Sequence, residues 1–185
     1  MKITFRDGWL EPLETSHAEA LYELIHSSRA LLYPWMPWLE RIHSVPDTSA
    51  FIHELVQKHG PQFVIQRDEH ICGSVGFYFL DSKKRLGSLG YWLGEEFIGQ
   101  GIMSDAISAL CRHGFMDLKL EKVEIRCADG NEASRKIPER LGFLFDGTIS
   151  KAEWLIDRYV DHACYSMLKE EFISLFVQKQ NAANS

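Results

Sequence analysis

The sequence predicts a single mixed α/β domain, and three observations carry that reading. Val123, Ile125 and Cys127 alternate with Glu124 and Arg126, while Leu89, Tyr91 and Leu93 alternate with Gly90 and Trp92. This is the two-residue period of strands. Between them, Ile102, Ala106, Leu110 and Gly114 form one ridge, and Met103, Ile107, Cys111, Phe115 and Leu118 form the next, at helical spacing. Turn signals divide the chain into the order β-α-α-β-β-β-α-β-α-β-β, with no internal repeat and no linker. A chain of 185 residues, 45% apolar and 25% charged, suits one globular domain with a substantial core.

Residues 3–13 read as one short extended stretch, broken at Gly8 and stopped at Pro12. Thr15 or Ser16 is placed to cap a helix that carries Ala18, Leu21, Tyr22, Leu24 and Ile25. The following Tyr33-Pro34-Trp35-Met36-Pro37-Trp38 segment holds two prolines, which bar a regular helix. Its aromatic side chains suit either a loop tucked onto the core or one wall of a groove. Pro46-Asp47-Thr48 starts a second helix, with Phe51, Ile52, Leu55 and Val56 on one face and Gly60-Pro61 at its end. Phe63–Ile65 and Ile71–Leu80 flank the polar Arg67-Asp68-Glu69-His70, a hairpin signal. Leu86–Leu93 is a third strand, reached through a charged turn at 81–85. After the 102–118 helix comes a strand over 122–128. Asn131 then caps a helix from Glu132 that ends at Leu141-Gly142. Phe143–Ile149 and Trp154–Met167 read as two more strands and 168–178 as a last helix. Residues 179–185 form a polar, frayed tail.

Composition removes several functions. A net charge of −6 and the lack of a basic stripe argue against nucleic-acid binding. The longest apolar run, Ile71–Leu80, falls well short of the about 20 residues that a membrane helix needs. The first residues, Met1-Lys2-Ile3-Thr4-Phe5-Arg6-Asp7, show no apolar signal core, so a cytoplasmic protein is expected. Cys72, Cys111, Cys127 and Cys164 form no Cys-x-x-Cys pair, and neither they nor His43, His53 and His59 show metal-ligand spacing. Reduced thiols and no metal site are expected.

One stretch is chemically distinctive. Tyr91 to Ala106 reads as a strand end, a turn with Gly99 and Gly101, and the first turn of a helix. That arrangement aims free backbone N–H groups and the positive end of a helix dipole at one spot, which suits a phosphate. The P-loop template fails because no lysine follows Gly101. The dinucleotide fingerprint fails because Ser104 stands at its third glycine.

A third template fits. Gly99-Gln100-Gly101-Ile102-Met103-Ser104, with Asn131 at the next helix start and Gly142-Phe143 beyond it, resembles the GCN5-related N-acetyltransferase (GNAT) family. The order of elements agrees over nearly the full chain. Ile98 stands where that family usually has Arg or Gln, and Met103 where it has Gly or Ala. Within the family, Leu89-Gly90-Tyr91-Trp92-Leu93, Asn131-Glu132-Ala133-Ser134 and Lys151-Ala152-Glu153-Trp154-Leu155 are similar to the ribosomal-protein N-terminal acetyltransferases of the RimJ/RimL type, as is the 33–38 aromatic segment.

The resemblance implies a mostly antiparallel central sheet of about seven strands with flanking helices, one acetyltransferase domain over 1–185, and direct transfer of acetyl from acetyl-CoA to an amine. It implies cofactor contacts at Trp92, Leu93, Gly99, Gln100, Gly101, Ile102, Met103, Ser104 and Asn131. The backbone N–H of Leu93 or its neighbour would meet the carbonyl oxygen. It gives Glu153 the role of base and Ser134 that of proton donor to the leaving thiolate. Cys127 reads as a strand-face cysteine, since a covalent route would need an activating base beside it. The acceptor expected is a protein N-terminal α-amine. A small amine, such as a polyamine, amino sugar or amino-acid-like compound, is the alternative, as is a non-catalytic protein that binds a CoA thioester. The resemblance also implies a homodimer.

Overall fold

The computed structural model describes residues 2–183. Eight strands form one sheet: β1 (Ile3–Phe5), β2 (Gly8–Pro12), β3 (Gln62–Arg67), β4 (His70–Asp81), β5 (Leu86–Leu93), β6 (Lys122–Ala128), β7 (Leu144–Leu155) and β8 (Arg158–Leu168). Their order across the sheet is β1-β2-β3-β4-β5-β6-β8-β7. Every neighbouring pair is antiparallel except β5–β6. The helices are α1 (Ala18–Ser27), α2 (Arg29–Leu32), α3 (Val45–Lys58), α4 (Ile102–Met116), α5 (Glu132–Leu141) and α6 (Lys169–Ala183).

The mixed, mostly antiparallel sheet matches expectation, with corrections in detail. There are eight strands and not seven, because the break at Gly8 is a hairpin turn: Phe5 pairs with Gly8 and Ile3 with Leu10. The last hairpin turns at Ile156–Asp157, so Trp154 and Leu155 belong to β7 and not to the strand after it. The first helix is entered through a 3-10 turn over Thr15–His17. There His17 Nδ1 accepts from the Glu14 N–H at 3.1 Å, so the cap is neither Thr15 nor Ser16. Ser44 caps α3, accepting from the Asp47 N–H at 3.3 Å. Helix α6 continues to Ala183, so the tail expected from 179 is helical up to that point. Asn184 and Ser185 lie outside the described residues.

Strand alternation sends side chains to two separate cores. Phe63, Ile65, Val75, Phe77, Leu89, Ile125, Cys127, Ala163, Tyr165 and Met167 pack with the apolar ridges of α4 and with Phe143 and Phe172. Val64 points the other way, into a cluster with Leu13, Ala18, Leu21 and Ile52. A third cluster, Ile25, Leu32, Leu39 and Ile42, gathers Trp38 and Phe51. Helices α1 to α3 therefore cover one face of the sheet, and α4 to α6 the other. On β5, Tyr91 and Leu93 join the α4 face, while Trp92 joins both clusters opposite.

The parallel β5–β6 pair is short. Its ladder runs from Leu86↔Lys122 to Leu89↔Ile125. From Arg126 onward β6 stays with β8, pairing Arg126↔Cys164, Cys127↔Ala163 and Ala128↔His162. β5 meanwhile stays with β4 up to Leu93. The two strands diverge, and a wedge opens through the sheet beside Gly90–Leu93.

Close packing of β4 on β5 holds one side of this wedge. A Cβ added at Gly73 would lie 2.1 Å from the Trp92 carbonyl oxygen and 2.9 Å from Leu93 Cα, both backbone atoms. Gly73→Ala is therefore expected to lower unfolding stability by about 1–3 kcal/mol or more. The urea midpoint measures this; an unchanged midpoint would show that the strands separate freely.

Candidate active site at the wedge

The bond from the Gly94 N–H to the Cys72 carbonyl, 2.9 Å, sets the pattern for the end of β5. Backbone groups of a strand alternate sides, so Trp92 bonds to β4 while the N–H and C=O of Tyr91 and Leu93 face the wedge. These are polar groups in search of partners. The turn beyond is fixed from both sides: Ser28 Oγ, buried at the end of α1, accepts from the Glu95 N–H at 2.9 Å.

Gly99 and Gly101 have φ of 78° and 80°, the left-handed region that favours glycine. Neither has an atom within 4 Å of where a Cβ would stand, so the space over the turn is open. Gly101 is the N-cap of α4, and the first helical bond recorded to it comes from the Asp105 N–H. The N–H groups of Ile102, Met103 and Ser104 precede that bond and have no helical carbonyl to meet. Gln100 departs from expectation: its side chain turns onto the protein, accepting from Arg67 at 2.8 Å and donating to the Glu96 carbonyl at 2.8 Å. It braces the turn and leaves only its backbone for a ligand. Met103 is buried with the α4 ridge and does not obstruct the turn.

This turn floors a cavity of about 300 Å³ that opens onto the α4 face, walled by Leu93, Gly99, Gly101, Ile102 and α5 and, from the other side of the sheet, by Leu31, Leu32, Trp35 and Met36. Two cations that sequence reading passed over, Lys136 and Arg140, stand one turn apart on α5 and line the same cavity. On the opposite face lies a second groove of about 540 Å³. The Trp35–Trp38 segment forms part of its wall, so the aromatic stretch is not merely packed loop. Trp38 stacks on Phe51 at 4.7 Å and meets Trp92 at 6.2 Å.

Both cavities are lined by Trp35, Met36, Tyr91, Trp92, Asn131 and Ser134. Here the polar groups converge. Asn131 Oδ1 accepts from the Ser134 N–H at 3.2 Å, the N-cap that sequence predicts. Ser134 Oγ lies 3.2 Å from Cys127 Sγ and 3.3 Å from the Tyr91 hydroxyl. Tyr91 in turn donates to the Ser134 carbonyl at 3.1 Å, tying β5 to the first turn of α5. Burial holds the Tyr91 phenol well above its ordinary pKa, so it stays protonated. Tyr91 was legible as an inward strand residue, but nothing in the linear order linked it to Ser134. Glu153 lines the second groove, where His162 Nε2 lies 3.0 Å from its Oε2.

Residues 9–144 match the family described as the acetyltransferase (GNAT) domain. The chain belongs to the GNAT family. Among its relatives, a putative ribosomal N-acetyltransferase, YdaF of Bacillus subtilis, is 33% identical, over 86% of this chain and 90% of that protein. The ribosomal-protein-serine acetyltransferase of Escherichia coli is 29% identical, over 86% and 91%. RimL, a ribosomal L7/L12 α-N-protein acetyltransferase solved with coenzyme A in disulfide linkage to a cysteine, superposes with a TM-score of 0.86 at 25% identity, over 91% of this chain and 98% of that one. This GNAT chain is an acetyl-CoA-dependent N-acetyltransferase, and the open glycine turn with its free N–H groups fits that cofactor.

Cys127 lines the second groove beside Ser134 and Tyr91, which are its hydrogen-bond partners, and neither is an activating base. Burial pushes its thiol up, and the two hydroxyls only partly oppose this. A raised pKa means that the neutral thiol persists where an ordinary one ionises. At about pH 8.5, the ordinary thiol midpoint, iodoacetamide is expected to leave Cys127 of the folded enzyme unlabelled in peptide mapping. Fast labelling near neutral pH would revive a covalent acyl-cysteine route.

Proposed function

We propose that this GNAT enzyme acetylates the N-terminal α-amine of a protein, with Glu153 as general base and Ser134 as proton donor. The observation that carries this reading is the meeting of two cavities, one opening over the glycine turn and one over α3, at Trp35, Met36, Tyr91, Trp92, Asn131 and Ser134. The amine can approach from one side while the thioester lies on the other. The acceptors named for the related RimL and for the E. coli relative support a protein substrate.

Acetyl-CoA supplies the thioester carbonyl that the amine attacks. The N–H groups of 102–104 would bind the pyrophosphate, helped by the α4 dipole, with Lys136 and Arg140 as counter-charges along the groove. The N–H and C=O of Tyr91 and Leu93 would hold the pantetheine arm as an added strand, and the Leu93 N–H would meet the charge that develops on the carbonyl oxygen. RimL holds coenzyme A through a cysteine, and Cys127 of this chain lies 3.2 Å from Ser134, which lines both cavities. Its position supports a sulfur path ending beside Ser134.

An α-amine has a pKa of roughly 7.7–8.0, against about 10.4 for lysine. Near neutral pH it needs to lose a proton only part of the time. A carboxylate such as Glu153, half-exposed in the groove, suffices to take it directly or through one water. As the C–S bond breaks, the Ser134 hydroxyl gives its proton to the departing sulfur and regains one from the nitrogen, which sheds its surplus proton as the amide forms. The Tyr91 phenol stays protonated behind it and keeps the serine placed.

A cytoplasmic enzyme and a homodimer complete the proposal. Leu144, Phe145 and Trp154 of β7 and Tyr159 of β8, exposed on the last hairpin, are the surface that a second copy would cover.

Release of coenzyme A from acetyl-CoA, measured against serine- and alanine-initiated peptides and against polyamines and amino sugars, tests the reading. Turnover with peptides is expected; turnover only with small amines would move the acceptor class, and none with any amine would remove catalysis. Glu153→Gln is expected to lower kcat by about 10²–10⁴-fold with acetyl-CoA affinity kept. A wild-type rate would exclude Glu153 as base. Ser134→Ala is likewise expected to slow turnover, and a wild-type rate would leave it a plain helix residue.

A further inference from the structure

The hairpin of β7 and β8 is irregular beside Glu153. Leu155↔Arg158, Trp154↔Tyr159 and Glu153↔Val160 pair regularly, and the next pair is Ile149↔His162. Three residues of β7, 150–152, thus stand opposite Asp161 alone. The bulge is closed from its own partner strand: Asp161 Oδ1 accepts from the Lys151 N–H at 2.8 Å, and Lys151 takes a φ of 49°. A non-glycine residue held in the left-handed region marks a place where surrounding contacts over-determine the backbone.

The bulge has a geometric result. Ladder partners share a face, so Ile149, Glu153, Val160 and His162 all lie on the groove side. Shortening the hairpin by two residues relative to regular pairing draws Glu153 back toward His162, giving the 3.0 Å contact between Nε2 and Oε2. Only 18% of the His162 side chain is exposed, against 37% for Glu153. Among the described residues, Glu153 Oε1 has no recorded hydrogen-bond partner. One carboxylate oxygen is therefore engaged and the other is free in a groove that also contains Ser134.

We infer that His162 is a positioning residue for Glu153. This rests on the reading of Glu153 as the base. The His162 Nε2–H donates to Oε2, fixes the three-torsion glutamate side chain in one rotamer, and leaves Oε1 to accept the proton of the acceptor ammonium. The proton moves from nitrogen to Oε1, and the histidine keeps its own. The bulge, pinned by Asp161, sets the spacing that lets the two side chains meet.

The test compares steady-state kinetics of His162→Ala, His162→Gln, Glu153→Gln and the His162→Ala/Glu153→Gln double variant, all confirmed folded by circular dichroism, with acetyl-CoA and a serine-initiated peptide. His162→Ala is expected to lower kcat by about ten- to a hundredfold, the scale of a misplaced catalytic group, with the KM for acetyl-CoA unchanged. His162→Gln, whose amide can donate to Oε2, is expected to recover most of the rate. The double variant is expected to be no slower than Glu153→Gln alone, because the histidine acts only through the carboxylate. A wild-type rate for His162→Ala with a slow Glu153→Gln overturns the positioning role while leaving the base in place. Additive losses in the double variant overturn it as well, since the histidine would then act elsewhere. A wild-type rate for Glu153→Gln overturns the base reading itself.

Discussion

The divergence of β5 from β6 is the constraint on which the site depends. A strand inside a sheet has both edges paired. β5 loses its second neighbour after Leu89, because Arg126, Cys127 and Ala128 of β6 remain with β8. The backbone groups of Tyr91 and Leu93 then have no ladder to join, in the interior of the molecule and not at its edge. A ligand with amides of its own can complete the strand. The wedge also makes the only described junction at which residues of β5 and α5 line cavities on both faces. Without it the sheet would close between the two cavities.

Around this opening, each polar contact has a structural partner that keeps it in place. The glycine turn is braced by Gln100 against Arg67 and by Ser28 against Glu95. Ser134 is fixed by its N-cap bond to Asn131 and by Tyr91. Arg135, next in the helix, bonds Asp129 at 2.9 Å and the Tyr165 hydroxyl at 3.1 Å, anchoring the start of α5 to β8. The cofactor side is thus assembled from short local motifs locked to the α4 core. Organised donors of this kind act on developing charge without reorganising during the reaction.

Much of this was legible in the amino-acid order because it is local. The α4 ridges, the alternation of β5 and β6, the Asn131 cap and the glycine turn are each written within a few consecutive residues. What was not legible depends on distance along the chain. The Tyr91–Ser134 contact spans 43 positions, and no periodicity signals it. Lys136 and Arg140 look like ordinary solvated helix charges until the cavity beside them is known. The hairpin turn at Ile156–Asp157 was misplaced because Gly147 and Ser150 give stronger turn signals than the true corner. A bulge then absorbs the irregularity inside β7. The Glu153–His162 contact depends on that bulge, so pattern alone could not find it. Gln100 was read as a ligand contact because its motif position is right, although its side chain serves the turn.

The assignment of α1 to α3 to one face and α4 to α6 to the other has an evolutionary consequence. The aromatic wall at 35–38 and α3 belong to the first third of the chain, whereas the glycine turn and α5 lie beyond it. Trp35 and Met36 nevertheless line both cavities, and Glu153 and His162 bring the end of the chain to the groove that α3 lines, so only part of each cavity is encoded in one stretch. A lineage can reshape that groove by rewriting α3, whose Phe51, Glu54 and Leu55 line it alone, while the glycine turn is inherited unchanged. Change confined to that helix leaves the residues shared by both cavities in place.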